Sequence, residues 1–403
     1  MYPNHAPMKS WVRAGFFLFG TVSVYLALFA AFAKSMAISP GSFYSLTEHV
    51  VLVLLSAILV FATAWRLAPE RRGLAGGVIA VIFYLLNPAV VFQGLLSPWA
   101  GTPYAALSCM LFLCGWIAMD HWSVFMRSGM LAILFAGALW GGSSNAWIVL
   151  ALVPWVVYNR RPLVSMGAFL TIVLGGVLLF FMSWALVHWL AGQPRAILAP
   201  WRFLGACERW GGLTLNRLGS LGAPQSMDRM VDVFISLSPA WIVLAFWSTG
   251  RQLVNSVLQR RSDVLTFACG LAWIMFMVTS AAVLLGVERL SSVTTFVALS
   301  APLVARDLAQ REFYLHRGVR VIVLWAFLTA AGIQWLTMFI LGAPTTGGLW
   351  RLWSAGVAAV VTLFISTAAK ETKGVTLASR WQAILAGGTL ASYINVGYLL
   401  LKS

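Results

Sequence analysis

The residues best suited to chemistry lie in a surface stretch near the middle of the chain. Between 192 and 230 stand Arg195, Arg202, Arg209, Arg217 and Arg229, against only Glu208 and Asp228, with Trp201 and Trp210 interspersed. A guanidinium is a planar fork of donors matched to phosphate oxygens, and an indole settles at the headgroup level of a bilayer. The mixture predicts a ledge on the membrane surface that faces lipid headgroups, with arginines suited to an anionic lipid phosphate. Arg202 and Arg209 are seven apart, so on a helix they share a face and could clasp one phosphate between them. An amphipathic interfacial helix would show the same spacing without a ligand, and both readings stand.

Other polar residues point to chemistry less directly. Asp120 and His121 suit a solvated turn. His188, beside Trp189 and four residues after Trp184, suits an aromatic belt. Tyr393 and Asn395 are polar groups in an apolar run, where a neighbouring helix is the natural partner. Among the four cysteines, Cys109, Cys114 and Cys269 lie within apolar runs and Cys207 lies in the ledge, which gives neither a disulfide framework nor a metal set. The chain has no phosphate-binding glycine loop and no HExxH, so nucleotide hydrolysis and zinc proteolysis find no support. Charged residues are missing from the centres of the apolar runs, which argues against a proton-coupled transporter.

The elements that must position these residues follow from composition. With 61% hydrophobic and 9% charged residues and a mean hydropathy of +0.87, this chain of 403 residues is expected to be an all-α polytopic membrane protein. A soluble protein with a net charge of +16 would suggest nucleic acid, but here basic loops at one membrane face explain the excess, and no nucleic-acid partner is expected. Apolar runs at about 15 to 33, 48 to 65, 74 to 96, 103 to 119, 129 to 142, 145 to 158 and 163 to 191 make an N-terminal half, 1 to 191. Residues 192 to 230 form the interfacial loop. Runs at about 231 to 249, 264 to 286, 291 to 304, 320 to 341, 350 to 369 and 382 to 401 make a C-terminal half, 231 to 403. Each run is near the length needed to cross roughly 30 Å of hydrocarbon, with those at 129, 145 and 291 the shortest. The first run follows MYPNHAPMKSWVR with no small-residue cleavage signal and is expected to be a retained span.

Thirteen spans, about, would put the termini on opposite faces. With Lys9 and Arg13 cytoplasmic, the alternation carries Arg66, Arg71, Arg72, Arg127, Arg160, Arg161, Arg251, Arg260, Arg261 and Arg306 to the same face. Lys34, Arg289, Arg351 and the ledge fall on the other, and the C-terminus is extracytoplasmic. The expected location is the cell inner (cytoplasmic) membrane.

This layout resembles the GT-C membrane glycosyltransferases, and within them the protein O-mannosyltransferase and lipid A aminoarabinose transferase branch. Three stretches carry the likeness: GLAGGVIAVIFYLLNPAVVFQGLLSPWAGTPYAAL (73 to 107); LAILFAGALWGGSSNAWIVLALVPWVVYNRR (131 to 161); and SLSPAWIVLAFWSTGR (236 to 251) with RRSDVLTFACGLAWIMFMV (260 to 278) and GVERLSSVTTFVALSAPLVARDL (286 to 308). In the second of these the family has a small-residue re-entrant helix pair. The resemblance implies a GT-C-like bundle that moves a sugar from a polyprenyl-phosphate donor on the extracytoplasmic face, for envelope glycan or glycolipid assembly.

Under that resemblance Glu48, the sole acid of the first outer loop AKSMAISPGSFYSLTEHV, stands where the family places a general base or metal-binding acid. A carboxylate capping a span is the alternative reading of the same residue. Glu288 and Arg289 stand where the family carries a basic residue near the donor phosphate, or else close a short turn as an interfacial pair. Arg202, Arg209 and Arg217 join them as donor-binding candidates. The family's second outer acid is missing, because that turn reads SPWAGTPY. No cofactor is implied, and a divalent metal is not expected, since metal-independent branches exist. The expected partners are membrane lipids, a polyprenyl-phosphate sugar and a further membrane protein. Two other classes remain open: a non-catalytic GT-C-like subunit or scaffold of an envelope assembly, and a transporter of lipid-linked substrates.

Overall fold

A computed structural model describes residues 8–35, 43–68, 72–87, 89–91, 101–141, 143–157, 162–192, 245, 248–250, 252–254, 258, 263–284 and 294–310. Regular structure among them is helical throughout, with no strand. The helices are α1 (Met8–Ser35), α2 (Phe43–Leu67), α3 (Gly73–Leu85), α4 (Gly101–Ala118), α5 (Val124–Trp140), α6 (Ile148–Val157), α7 (Pro162–Leu190), α8 (Val264–Leu284) and α9 (Thr294–Gln310), with a 3₁₀ turn at Ser143–Trp147 leading into α6. By length and composition, 47–67, 163–190 and 264–281 can each cross a bilayer, and five shorter apolar helices accompany them. The chain is thus a helical protein with membrane-spanning character; the ledge and everything after 310 lie outside the described residues, and so does the count of thirteen.

Local chemistry explains where the helices depart from the expected runs. The third run was expected to continue to 96, but α3 stops at Leu85. Asn87 precedes a proline, whose ring disfavours the α conformation at the preceding residue. The Asn87 side chain turns instead to accept from the Ala89 amide at 2.9 Å and starts a new helical turn. Helix α5 begins earlier than the run at 129 because Ser123 accepts from the Met126 amide at its N-terminus. The run at 145 is a composite of the 3₁₀ turn and the ten residues of α6.

Direction along the bundle follows from side-chain pairs. Trp11 meets Trp65 and Phe29 meets His49, so α1 is antiparallel to α2. Trp65 and Phe61 close on Gly73 and Gly77, which makes α2 and α3 a hairpin. Thr63 bonds Cys114, which joins α2 to α4. Arg127 reaches back to the Trp116 carbonyl, so α5 returns along α4. Trp140 bonds Ser183 and Gly176 lies against Phe135, so α7 runs parallel to α5. Phe267 stacks on Trp116 and Phe276 meets Phe296, fixing α8 antiparallel to α4 and to α9.

Helix α9 forms the centre. Residues 294–305 are buried throughout, and the helix packs on α2, α3, α4 and α8. Its end is locked to the α2–α3 turn by reciprocal bonds: Arg306 donates to the Leu67 carbonyl at 2.9 Å and Arg72 to the Ala309 carbonyl at 2.7 Å. Each guanidinium thereby satisfies a carbonyl left open at the other helix's C-terminus and sits at the negative end of its dipole. The outer shell of α1 and α7 keeps apolar side chains such as Phe16, Phe19, Leu174 and Leu178 exposed, as a lipid-facing surface would.

Candidate functional site

The two ends of the bundle differ in chemistry. Of the described basic residues, Lys9, Arg13, Arg66, Arg72, Arg127 and Arg306 lie at one end, and Lys34 lies at the other. Three described carboxylates, Asp120, Asp263 and Asp307, share the arginine end. Asp120 pairs with Arg127 at 3.0 Å, and the Arg127 guanidinium lies over the Trp116 ring at 4.4 Å. Trp116 is in turn stacked on Phe267 and edge-on to Trp155, so this end is knitted by aromatic packing and charge-assisted bonds.

The opposite end carries Glu48, His49, Asn87, Asn145, Thr294 and Thr295. Glu48 is exposed, and among the described residues it is the only carboxylate at this end. It sits on the sixth residue of α2, since that helix begins at Phe43 and has no acid in its first turn. Glu48 thus lies just past the first turn, where capping and dipole effects are strongest. His49 follows on the next helical position, turned inward by about 100°. It is buried at 3% exposure, lies flat against Phe29 with ring centres 6.1 Å apart, and neither ring nitrogen meets a hydrogen-bond partner among the described residues. An unmade bond at a buried polar group costs about 1 to 3 kcal/mol.

Asn145 shows the opposite condition. Fully buried in the 3₁₀ turn, it donates through Nδ2 to the Ala138 carbonyl at 3.0 Å, to Ser108 Oγ at 3.1 Å and, more weakly, to the Ala105 carbonyl at 3.4 Å. Its Oδ1 accepts from the Cys109 thiol at 3.1 Å. One amide thus fastens α4, α5 and the turn into α6. The close fit requires glycine at 141, where a Cβ would come within 2.5 Å of Ser108 Oγ and 2.7 Å of Asn145 Nδ2. Sequence reading passed over Asn145; the signal was a lone amide beside GGSS in an otherwise apolar run, where a polar group has to find a partner on a neighbouring helix.

Of the residues singled out in the sequence, Glu48 lies at the end opposite the arginines, whereas Arg202, Arg209, Arg217, Glu288 and Arg289 lie outside the described residues. His188 packs on Trp184 at 4.4 Å near the end of α7, in keeping with an aromatic belt. Among the described residues no group of His, Cys, Asp or Glu is arranged to hold a metal ion. Comparison with protein-family models, with curated proteins and with solved structures finds no match in any of the three.

Proposed function

We propose that this chain is a membrane glycosyltransferase-like protein that takes a sugar from a polyprenyl-phosphate donor on the extracytoplasmic face of the inner membrane. The observation that carries the reading is the isolated, exposed carboxylate of Glu48 at the bundle end opposite the arginines. Transfer from a lipid phosphate needs a base for the acceptor hydroxyl and cations for the departing phosphate. Glu48 serves as the base; Arg202, Arg209, Arg217 and Arg289, with Glu288 beside the last, supply the phosphate site in this reading. The N-terminus is cytoplasmic and the C-terminus extracytoplasmic.

Glu48→Gln decides between catalysis and structure. It keeps the side chain's size and removes its basicity, so transfer should fall about 10² to 10⁴ fold while the protein accumulates and folds normally. Full product formation by a normally folded variant would sink the enzyme reading. It would leave the second reading, a non-catalytic subunit of an envelope assembly, which draws support from the turn SPWAGTPY: it offers no second acid.

A further inference from the structure

The imidazole of His49 is a buried described side chain at the outer end with both ring nitrogens unpartnered; near the same end Ser280 Oγ and His188 Nδ1 also lack a partner among the described residues. A neutral imidazole carries one N–H donor and one bare acceptor nitrogen, and a buried one ordinarily satisfies both. Polar neighbours on the same helix do find partners: Ser56 donates to the Leu52 carbonyl and Thr63 bonds Cys114. His49 has an aromatic face against it, from Phe29, and no partner for either nitrogen among the described residues. Were the ring present for packing alone, phenylalanine would fill the same stack with nothing left unpaired. A buried group kept unpaired at a cost to stability calls for an explanation, and beside an exposed carboxylate a bound ligand supplies one.

We propose that His49 binds a sugar hydroxyl of the lipid-linked donor, next to the carboxylate of Glu48. This rests on the transferase reading above and extends it to the group that recognises the sugar. A hydroxyl both donates and accepts, so it satisfies either nitrogen, whereas a phosphate oxygen would serve only the N–H. Adjacent positions on α2 put the imidazole and the carboxylate on adjoining faces of one helical turn, at the bundle end where lipid-linked sugar would arrive. The ring that faces the imidazole is Phe29, on helix α1. Helix α1 packs chiefly on α3 and meets α2 through the ring pairs Trp11–Trp65 and Phe29–His49.

The test uses the full chain in detergent micelles, with His49→Phe and His49→Gln as variants. The probes are undecaprenyl phosphate bearing glucose, mannose or N-acetylglucosamine, and undecaprenyl phosphate without sugar. The expected result has three parts: His49→Phe melts at or above the wild-type temperature, binds the preferred sugar-bearing lipid about tenfold more weakly, and binds the sugar-free lipid unchanged. His49→Gln, which keeps one donor and one acceptor, should recover part of the loss. A His49→Phe protein that melts several degrees lower would show that the ring has a partner inside the protein and overturn the proposal. Equal binding of the sugar-bearing lipid by wild type and His49→Phe would overturn it too, leaving the transferase reading intact. A wild type that gains nothing from any of the three sugars would sink that reading and the role of His49 together.

Discussion

Asn145 and His49, three helices apart in sequence, illustrate how differently a helical bundle treats a buried hydrogen-bonding group: neither ring nitrogen of His49 finds a partner among the described residues. Asn145 spends its whole capacity on the fold, with two N–H groups shared among three acceptors and its carbonyl oxygen engaged by Cys109. Asn145→Ala should therefore cost about 1 to 3 kcal/mol, most of it from leaving the Cys109 thiol and Ser108 Oγ without their amide partner, since the Ala105 and Ala138 carbonyls keep the Ser108 hydroxyl and the Gly141 amide. Asn145→Asp should be worse despite its equal size, because an ionised carboxylate accepts but cannot donate, and it would face carbonyl oxygens. Thermal unfolding in detergent measures both; a wild-type midpoint for Asn145→Asp would remove the amide's role as a fastening. The sequence could place Glu48 near the head of the second apolar run, because charge in an apolar chain is conspicuous. It could not mark Asn145, because an uncharged amide stands out only once the carbonyls around it are known.

At the scale of elements, small residues decide how closely helices approach, and α7 carries a built-in comparison. Gly176 faces α5, where a Cβ would come within 2.6 Å of the Phe135 ring and 3.0 Å of the Ala132 carbonyl oxygen; Gly167, two turns and a half earlier, has nothing within 4 Å. Gly176→Ala should push α5 and α7 apart and cost about 1 to 3 kcal/mol. Gly167→Ala should be neutral or stabilising by up to about 1 kcal/mol, since alanine loses less backbone entropy in a helix. Opposite shifts in unfolding midpoint are expected, and equal shifts would mean that α5 and α7 are not held at this spacing. The extent of α7 was legible from hydropathy alone, 163 to 191 against Pro162–Leu190, because a long uninterrupted run has few ways to fold in lipid. Hydropathy misread the third run, since Asn87 and the proline after it break a helix whose apolar character continues past them.

For the whole molecule, the decisive quantity is the sorting of charge between the two ends. Alternating helix direction is expected from the one-sided arginines, and ring contacts and close glycine packing put α1 against α2, and α2 against α3, in antiparallel pairs. What links the ends to membrane faces is the tendency of basic loops to stay cytoplasmic, and that can be tested with residues at known ends. His121, exposed in the α4–α5 turn, lies at the arginine end; Ala191, exposed after α7, lies at the other. In a Cys207→Ser background, to remove the ledge cysteine, a membrane-impermeant maleimide should label Ala191→Cys in intact spheroplasts and His121→Cys only after lysis. Ser403→Cys should behave like Ala191→Cys if thirteen spans complete the chain. Labelling of His121→Cys in intact spheroplasts would invert the orientation, and Glu48 would then face the cytoplasm. There it would meet nucleotide sugars rather than lipid-linked donors exposed outside, so the same experiment that fixes the ends also decides which class of donor the carboxylate can reach.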